Sequence, residues 1–119
     1  MDIFCKIING DIPSYTIYED DLVKVILDVN PKSKGHSLII PKEHYKDLYD
    51  IPSNILCHIM EVSKKISELL NDKFNSLGIT LMQNNGIAQD VKHFHLHVIP
   101  VYKEEDNVDI EEVYKKIMH

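Results

Sequence analysis

A disulfide scaffold is the first thing the chain cannot be. It holds two cysteines, Cys5 and Cys57, where a small secreted framework carries several at patterned spacings. No apolar run approaches the length that spans a bilayer, and no apolar stretch follows a basic start. These absences lead to the expectation of a soluble cytoplasmic protein. Cations are scarce too: Lys and Arg total 13 against 19 Asp and Glu, a formal net charge of −6. Nucleic acid and anionic membrane usually need a basic face, so neither is expected as a partner. An anionic ligand would need a local site of backbone N–H groups, histidine or lysine. Repeats, linkers and low-complexity segments are also missing, so the 119 residues read as one domain, 1–119. The balance of 44% hydrophobic and 27% charged residues is that of a globular chain, not a disordered one.

What is present reads as alternating strands and one strong helix. "YTIYEDDLVKVILD" (15–28) gives two β-rich runs joined at Glu19-Asp20-Asp21, a hairpin candidate. "NPKSKG" (30–35) is turn chemistry, and "HSLIIP" (36–41) a short apolar strand. "KEHYKDLYD" (42–50) is read as a short helix. Pro52 and Ser53 then open a helix in which Ile55, Leu56, Ile59, Val62, Ile66, Leu69, Leu70 and Phe74 recur every three or four residues, and Gly78 follows it. "ITLMQNNG" (79–86) is a strand ending in a turn, "HFHLHVIPVY" (93–102) the last strand, and "IEEVYKKIM" (110–118) a weakly amphipathic tail. Together these predict a single α+β domain with a mostly antiparallel sheet.

Three of the seven histidines, His93, His95 and His97, stand at alternate positions in "HFHLHVIP". A strand sends alternate side chains to opposite faces. The histidines then share one face, and Phe94, Leu96 and Val98 face the core. Three readings compete. The face can be merely polar. It can bind a metal, since His-x-His on a strand holds Zn²⁺ when further ligands come from elsewhere. Or an imidazole can act as a nucleophile toward phosphorus. Imidazole's ordinary pKa of about 6.5 leaves much of it neutral at pH 7, so no strong base is needed. Flanking histidines could orient it and hold phosphate charge. Spacing alone does not separate metal from nucleophile.

"HFHLHVIP" resembles the histidine-triad signature. The chain is similar as a whole to the Hint-like branch of the histidine triad (HIT) nucleotide hydrolases and transferases. "IFCKIINGDIPSYTIYEDD" (3–21) is similar to that family's N-terminal block and "LDVNPKSKGHSLIIPKEH" (27–44) to its second block. The resemblance implies a HIT-like fold, with a five-stranded sheet, one long helix and short helices. It also implies hydrolysis of nucleoside 5′-phosphoramidates or related adenylated compounds at the α-phosphate. His95 is then the nucleophile that forms a nucleotidyl-histidine. His97 contacts phosphate, His93 orients the neighbourhood, and His36 supports the triad. Asp28 matches the ribose-binding acid, although an Asp before Asn-Pro is equally a turn cap. Phe4, Ile7 and Ile26 match the base pocket, with purine preference, or are simply core. Asn84 matches an asparagine near phosphate or ribose, and Gln89 the glutamine before the triad. Dinucleoside polyphosphate hydrolysis is the alternative within the family. A nucleotide-binding module with weak turnover and a metalloprotein are the alternatives outside it. The family pairing also implies a homodimer through the long helix and a sheet edge.

Two departures stand out. The loop "NNGIAQDVKHFH" (84–95) is about two residues shorter than in relatives, and Asp90 stands where a phosphate-holding hydroxyl is usual. Some bacterial relatives bind zinc through Cys-x-x-Cys and two histidines. Here Asp2 replaces the first cysteine, leaving Cys5, His44 and His93. A carboxylate suits a soft site less well than a thiolate. Ordering an N-terminal Asp2 costs about 1–2 kcal/mol per residue. The expectation is therefore zinc below stoichiometry, with no cofactor required for turnover. His58, His119 and Cys57 are read as structural or solvated.

Overall fold

The computed structural model describes residues 1–104 and 107–119. In chain order the elements are α1 (Ile3–Ile8), β1 (Thr16–Glu19), β2 (Val23–Leu27), β3 (Ser37–Pro41), α2 (Ser53–Phe74), β4 (Gly78–Met82), a 3-10 turn (Gly86–Ala88), β5 (Leu96–Val101) and α3 (Ile110–Met118). The five strands form one antiparallel sheet in the order β1-β2-β3-β5-β4. The expected α+β architecture, with a five-stranded sheet, one long helix and short helices, is the one observed. Among the described residues no helix is long and apolar enough to cross a membrane.

The strands' period of two divides the apolar residues between two cores. Val23, Val25, Leu27, Ile39, Leu96 and Val98 face α2 in the larger cluster. Ile26, Leu38 and Ile40 face the other way and pack with Phe4 and Ile7 of α1. The helix α2 supplies Ile55, Ile59, Val62, Ile66, Leu70 and Phe74 to the larger core, as its three-and-four spacing requires. Each such side chain contributes about 1.5–3 kcal/mol by leaving water. Asn75 ends α2 in the left-handed region at φ 53°. Gly78 opens β4 rather than terminating the helix. The last helix buries Val113 and Ile117, four residues apart on one face, and Asp109 caps it by accepting from the Glu112 N–H.

Asp20 explains the first hairpin. One carboxylate oxygen accepts the Leu22 and Val23 N–H groups, both at 2.8 Å. The other meets the Tyr18 hydroxyl at 2.8 Å and His58 Nε2 at 2.7 Å, which ties the turn to α2. Burial alone would raise this carboxyl; the hydrogen bonds outweigh it and hold its pKa at about 2. His58 is thus structural.

Two expectations need correction. Residues 42–50 form no helix. Asp47 accepts the Tyr49 and Asp50 N–H groups, and Asp50 accepts that of Lys46. These short acid side chains take backbone donors that a helix would have used. The final strand begins at Leu96, so His93 and His95 precede it in irregular backbone and His97 alone lies within it. The alternation survives nonetheless. Phe94, Leu96 and Val98 enter the larger core, while His97 pairs with Leu38, whose side chain faces α1.

Candidate active site

All four candidate catalytic histidines are buried on the α1 side of the sheet: His36 is 2%, His93 0%, His95 4% and His97 7% exposed. Burying four imidazoles is costly unless each finds partners. Most of those partners are backbone groups, and backbone groups have fixed roles as donor or acceptor. The proton on each ring follows from them.

The Lys32 N–H can only donate, so His36 Nδ1, 3.0 Å away, accepts. Neutral His36 then carries its proton on Nε2. That group points at His97 Nδ1, 2.9 Å away, with an Asp28 carboxylate oxygen at 3.5 Å. His97 Nδ1 therefore accepts, and His97 Nε2 carries the proton. Among the described residues that N–H has no hydrogen-bond partner although it is buried. The His93 carbonyl can only accept, so His95 donates from Nδ1 at 2.8 Å and keeps its lone pair on Nε2. Likewise His93 donates from Nε2 to the Pro41 carbonyl at 3.0 Å, which leaves its lone pair on Nδ1. The His95 and His97 ring centres are 5.0 Å apart. The site thus presents an unprotonated nitrogen beside an N–H donor with nothing to donate to.

Burial is also the main reason His36, His93 and His97 hold protons less readily than usual. For His97 the nearby His95 and His36 add to burial, Asp28 opposes it, and the pKa falls to about 4. His97 is then a neutral donor at pH 7. A stability prediction follows by linkage. Between pH 6.5 and 4 the unfolded chain takes up a proton that folded His97 refuses, so stability is complete above about pH 6.5 and is lost as pH falls toward 4. Thermal melts across this range should show Tm falling with pH, and His97→Gln should flatten the slope. An equal slope in both proteins would refute the assignment.

Gly35 allows His36 its place. Its φ is +91°, and an added Cβ would stand 3.1 Å from Leu70 Cδ2. Asp28 is both turn cap and neighbour of the site: one oxygen accepts the Asn30 N–H at 2.8 Å, and the other faces His36. Phe4, Ile7 and Ile26 lie together in the smaller core. Phe4 meets the His95 ring edge-on, with centres 4.9 Å apart. Asn84 is half-buried just past the end of β4, whose Met82 pairs with His97. Gln89 is buried and donates to the Lys46 carbonyl, and among the described residues its own oxygen has no partner. Asp90 is exposed, where water screens its charge, and Lys92 is held by the Gly86 carbonyl. The sequence reading missed the Lys32 N–H and the Pro41 and His93 carbonyls, because main-chain partners leave no mark in residue identity.

Asp2, Cys5, His44 and His93 also come together, with their ligand atoms all within 4.8 Å of one another. Asp2 is the N-cap of α1 and accepts the Cys5 N–H at 2.8 Å. The cap thus places the Asp2 carboxylate beside Cys5 at the start of the helix.

The HIT domain family model matches residues 9–104. An uncharacterised HIT-like protein of Methanocaldococcus jannaschii is 43% identical over 98% of this chain and 98% of its own length. An adenosine 5′-monophosphoramidase of Saccharomyces cerevisiae is 43% identical over 82% of this chain and 61% of its own length. The crystal structure of a zinc-bound histidine triad family protein from Mycobacterium smegmatis superposes with a TM-score of 0.90, at 34% identity over 97% of this chain and 88% of that one. The family model and these relatives show that the chain belongs to the HIT family, whose members are generally nucleotide hydrolases.

Proposed function

We propose that the protein hydrolyses nucleoside 5′-phosphoramidates, or related adenylated compounds, through a nucleotide bound covalently to His95. One observation carries the reading: the His95 Nε2 lone pair beside the partnerless Nε2–H of His97. In the first step Nε2 of His95 attacks the α-phosphorus. The new P–N bond forms as the bond to the leaving amine breaks, and the amine takes a proton from solvent water as it leaves. The Nδ1–H bond to the His93 carbonyl steadies the positive ring that results. His97 donates to a phosphate oxygen as charge develops there. Water then cleaves the phospho-imidazole bond, which releases nucleoside monophosphate and restores neutral His95. The adenosine 5′-monophosphoramidase relative supports this choice of substrate class.

A panel of adenosine conjugates tests the reading by release of monophosphate. The phosphoramidate should be cleaved faster than a dinucleoside polyphosphate, whose turnover in its place would move the protein to the other branch of its family. Binding of monophosphate without cleavage of either would make it a binding module. In this reading Phe4, Ile7 and Ile26 border the base, and Asn84 and Gln89 border the phosphate and ribose. The same resemblance supports a homodimer. The unpaired edge of β4 and the exposed Met60, Leu77 and Leu81 offer surface for it, and sedimentation equilibrium reports it directly.

Asp28 is assigned to the ribose diol. Asp28→Asn keeps the amide oxygen that caps Asn30 but loses the charge. A charge-assisted hydrogen bond contributes about 1.5–3 kcal/mol. The preference for ribo- over 2′-deoxy-substrates should therefore shrink by roughly 10-fold or more. Equal discrimination by both proteins would leave Asp28 as a turn cap alone.

A further inference from the structure

We propose that a cavity beside His97 receives the departing amine and selects amines that carry a carboxylate, with the Lys32 ammonium as the specificity-determining group. This rests on the hydrolytic reading above and adds the nature of the leaving group to it. The cavity measures about 220 Å³ and lies where β3 has ended and β5 runs on without it to Val101. Lys32, Lys34, Ile99, Val101 and Glu104 are among its walls. Two hydrogen bonds hold the turn before β3 against the end of β5. The Ser33 hydroxyl donates to the Pro100 carbonyl at 2.6 Å, and the Tyr102 hydroxyl to the Lys34 carbonyl at 2.7 Å. A leaving group as small as ammonia needs about 30 Å³, the share of one water in the liquid. The space suits a larger amine.

Strand register connects the cavity to the chemistry. His97 and Ile99 share one face of β5, about 6.8 Å apart along the strand. One step beyond the Ser37–Val98 pair, the register sets Ile99 opposite His36. His95, His97 and Ile99 therefore follow one another on the α1 side of the sheet. In-line displacement puts the leaving group across phosphorus from the attacking nitrogen. With His95 attacking and His97 holding phosphate, that is the side of Ile99 and the cavity. The charge there comes from Lys32. Its N–H is bonded to His36 Nδ1 at 3.0 Å, which anchors the residue at the edge of the histidine array. Burial is the main cause of the low pKa values of His36 and His97, and the Lys32 ammonium adds to it in both, so its charge reaches the site. Lys34 is otherwise engaged, with Nζ 5.1 Å from the Tyr102 ring centre and 5.8 Å from that of Phe74. Among the described residues the Lys32 ammonium makes no ion pair. It is thus free to attract a carboxylate on the amine. Glu104 also lines the cavity and disfavours a second negative charge. A single carboxylate therefore fits better than the further phosphates of a dinucleoside polyphosphate. The P–N bond breaks as before, and the amine that takes its proton from water departs as an amino acid.

Adenosine 5′-phosphoramidates of glycine and of glycinamide test this, since they differ in charge at nearly equal shape. The glycine-to-glycinamide ratio of kcat/KM should be roughly 3–10-fold higher in wild type than in Lys32→Met. Comparing ratios between proteins cancels the unequal intrinsic reactivity of the two P–N bonds. Lys32→Arg should keep the wild-type ratio, Glu104→Gln should raise it, and added salt should lower it in wild type. The same ratio in wild type and Lys32→Met, with both conjugates cleaved, would overturn the proposal and leave the hydrolytic reading standing. Cleavage of the unsubstituted phosphoramidate alone would do the same. No release of monophosphate from any of the three would overturn the hydrolytic reading, and this inference with it.

Discussion

His95→Ala should fold and lose turnover by on the order of 10³-fold or more, the consequence of deleting a covalent nucleophile. The ring is 4% exposed and donates to the His93 carbonyl at 2.8 Å. Its removal leaves that carbonyl unpaired, a cost of about 1–3 kcal/mol that the two cores can absorb. Loss of rate with a retained melting transition is therefore the expected pair of results. Steady-state release of monophosphate and a thermal melt measure them together. A variant with near-normal rate would remove His95 from the chemistry.

His36→Ala should lower kcat/KM by about 10²-fold although His36 is placed to act through another residue. Its Nε2–H is the donor that makes His97 Nδ1 an acceptor. Without it His97 can put its proton on Nδ1, and Nε2 then offers a lone pair toward phosphate oxygen. Removing one aligned donor from a developing charge costs about 10²–10³-fold. A merely structural role would slow His97→Ala further when both residues are changed. The positioning role predicts instead that His36→Ala adds little in the His97→Ala background, since both remove the same donor. Additive losses would contradict the relay.

The fold was readable wherever periodicity had one meaning. The helix α2 followed from spacings of three and four between Ile55 and Phe74, and β2 and β3 from short apolar runs. Residues 42–50 misled because charged and aromatic side chains suit a helix, while Asp47 and Asp50 compete for its backbone donors. Strand alternation put the triad on the right face, yet hydrogen-bonded strand begins only at Leu96. Pairing depends on partners that a sequence window does not contain, and β3 offers Ile39 as the last of them. The candidate site was legible as residue types and motif blocks. Its proton arrangement was not, because Lys32, Pro41 and His93 act through the main chain. The cap that Asp2 makes on α1 was not legible for a related reason: it is a matter of geometry, and sequence showed only an acid near the N-terminus.

The central claim is a covalent intermediate on one imidazole nitrogen. Enzyme mixed with adenosine 5′-phosphoramidate should be quenched within one turnover at alkaline pH, digested, and examined by mass spectrometry. The account predicts an adenylyl group on the peptide that contains His95, formed and lost at rates that match turnover, and absent from His95→Ala. Full-rate release of monophosphate with no adduct on that peptide would mean direct attack by water, and would contradict it.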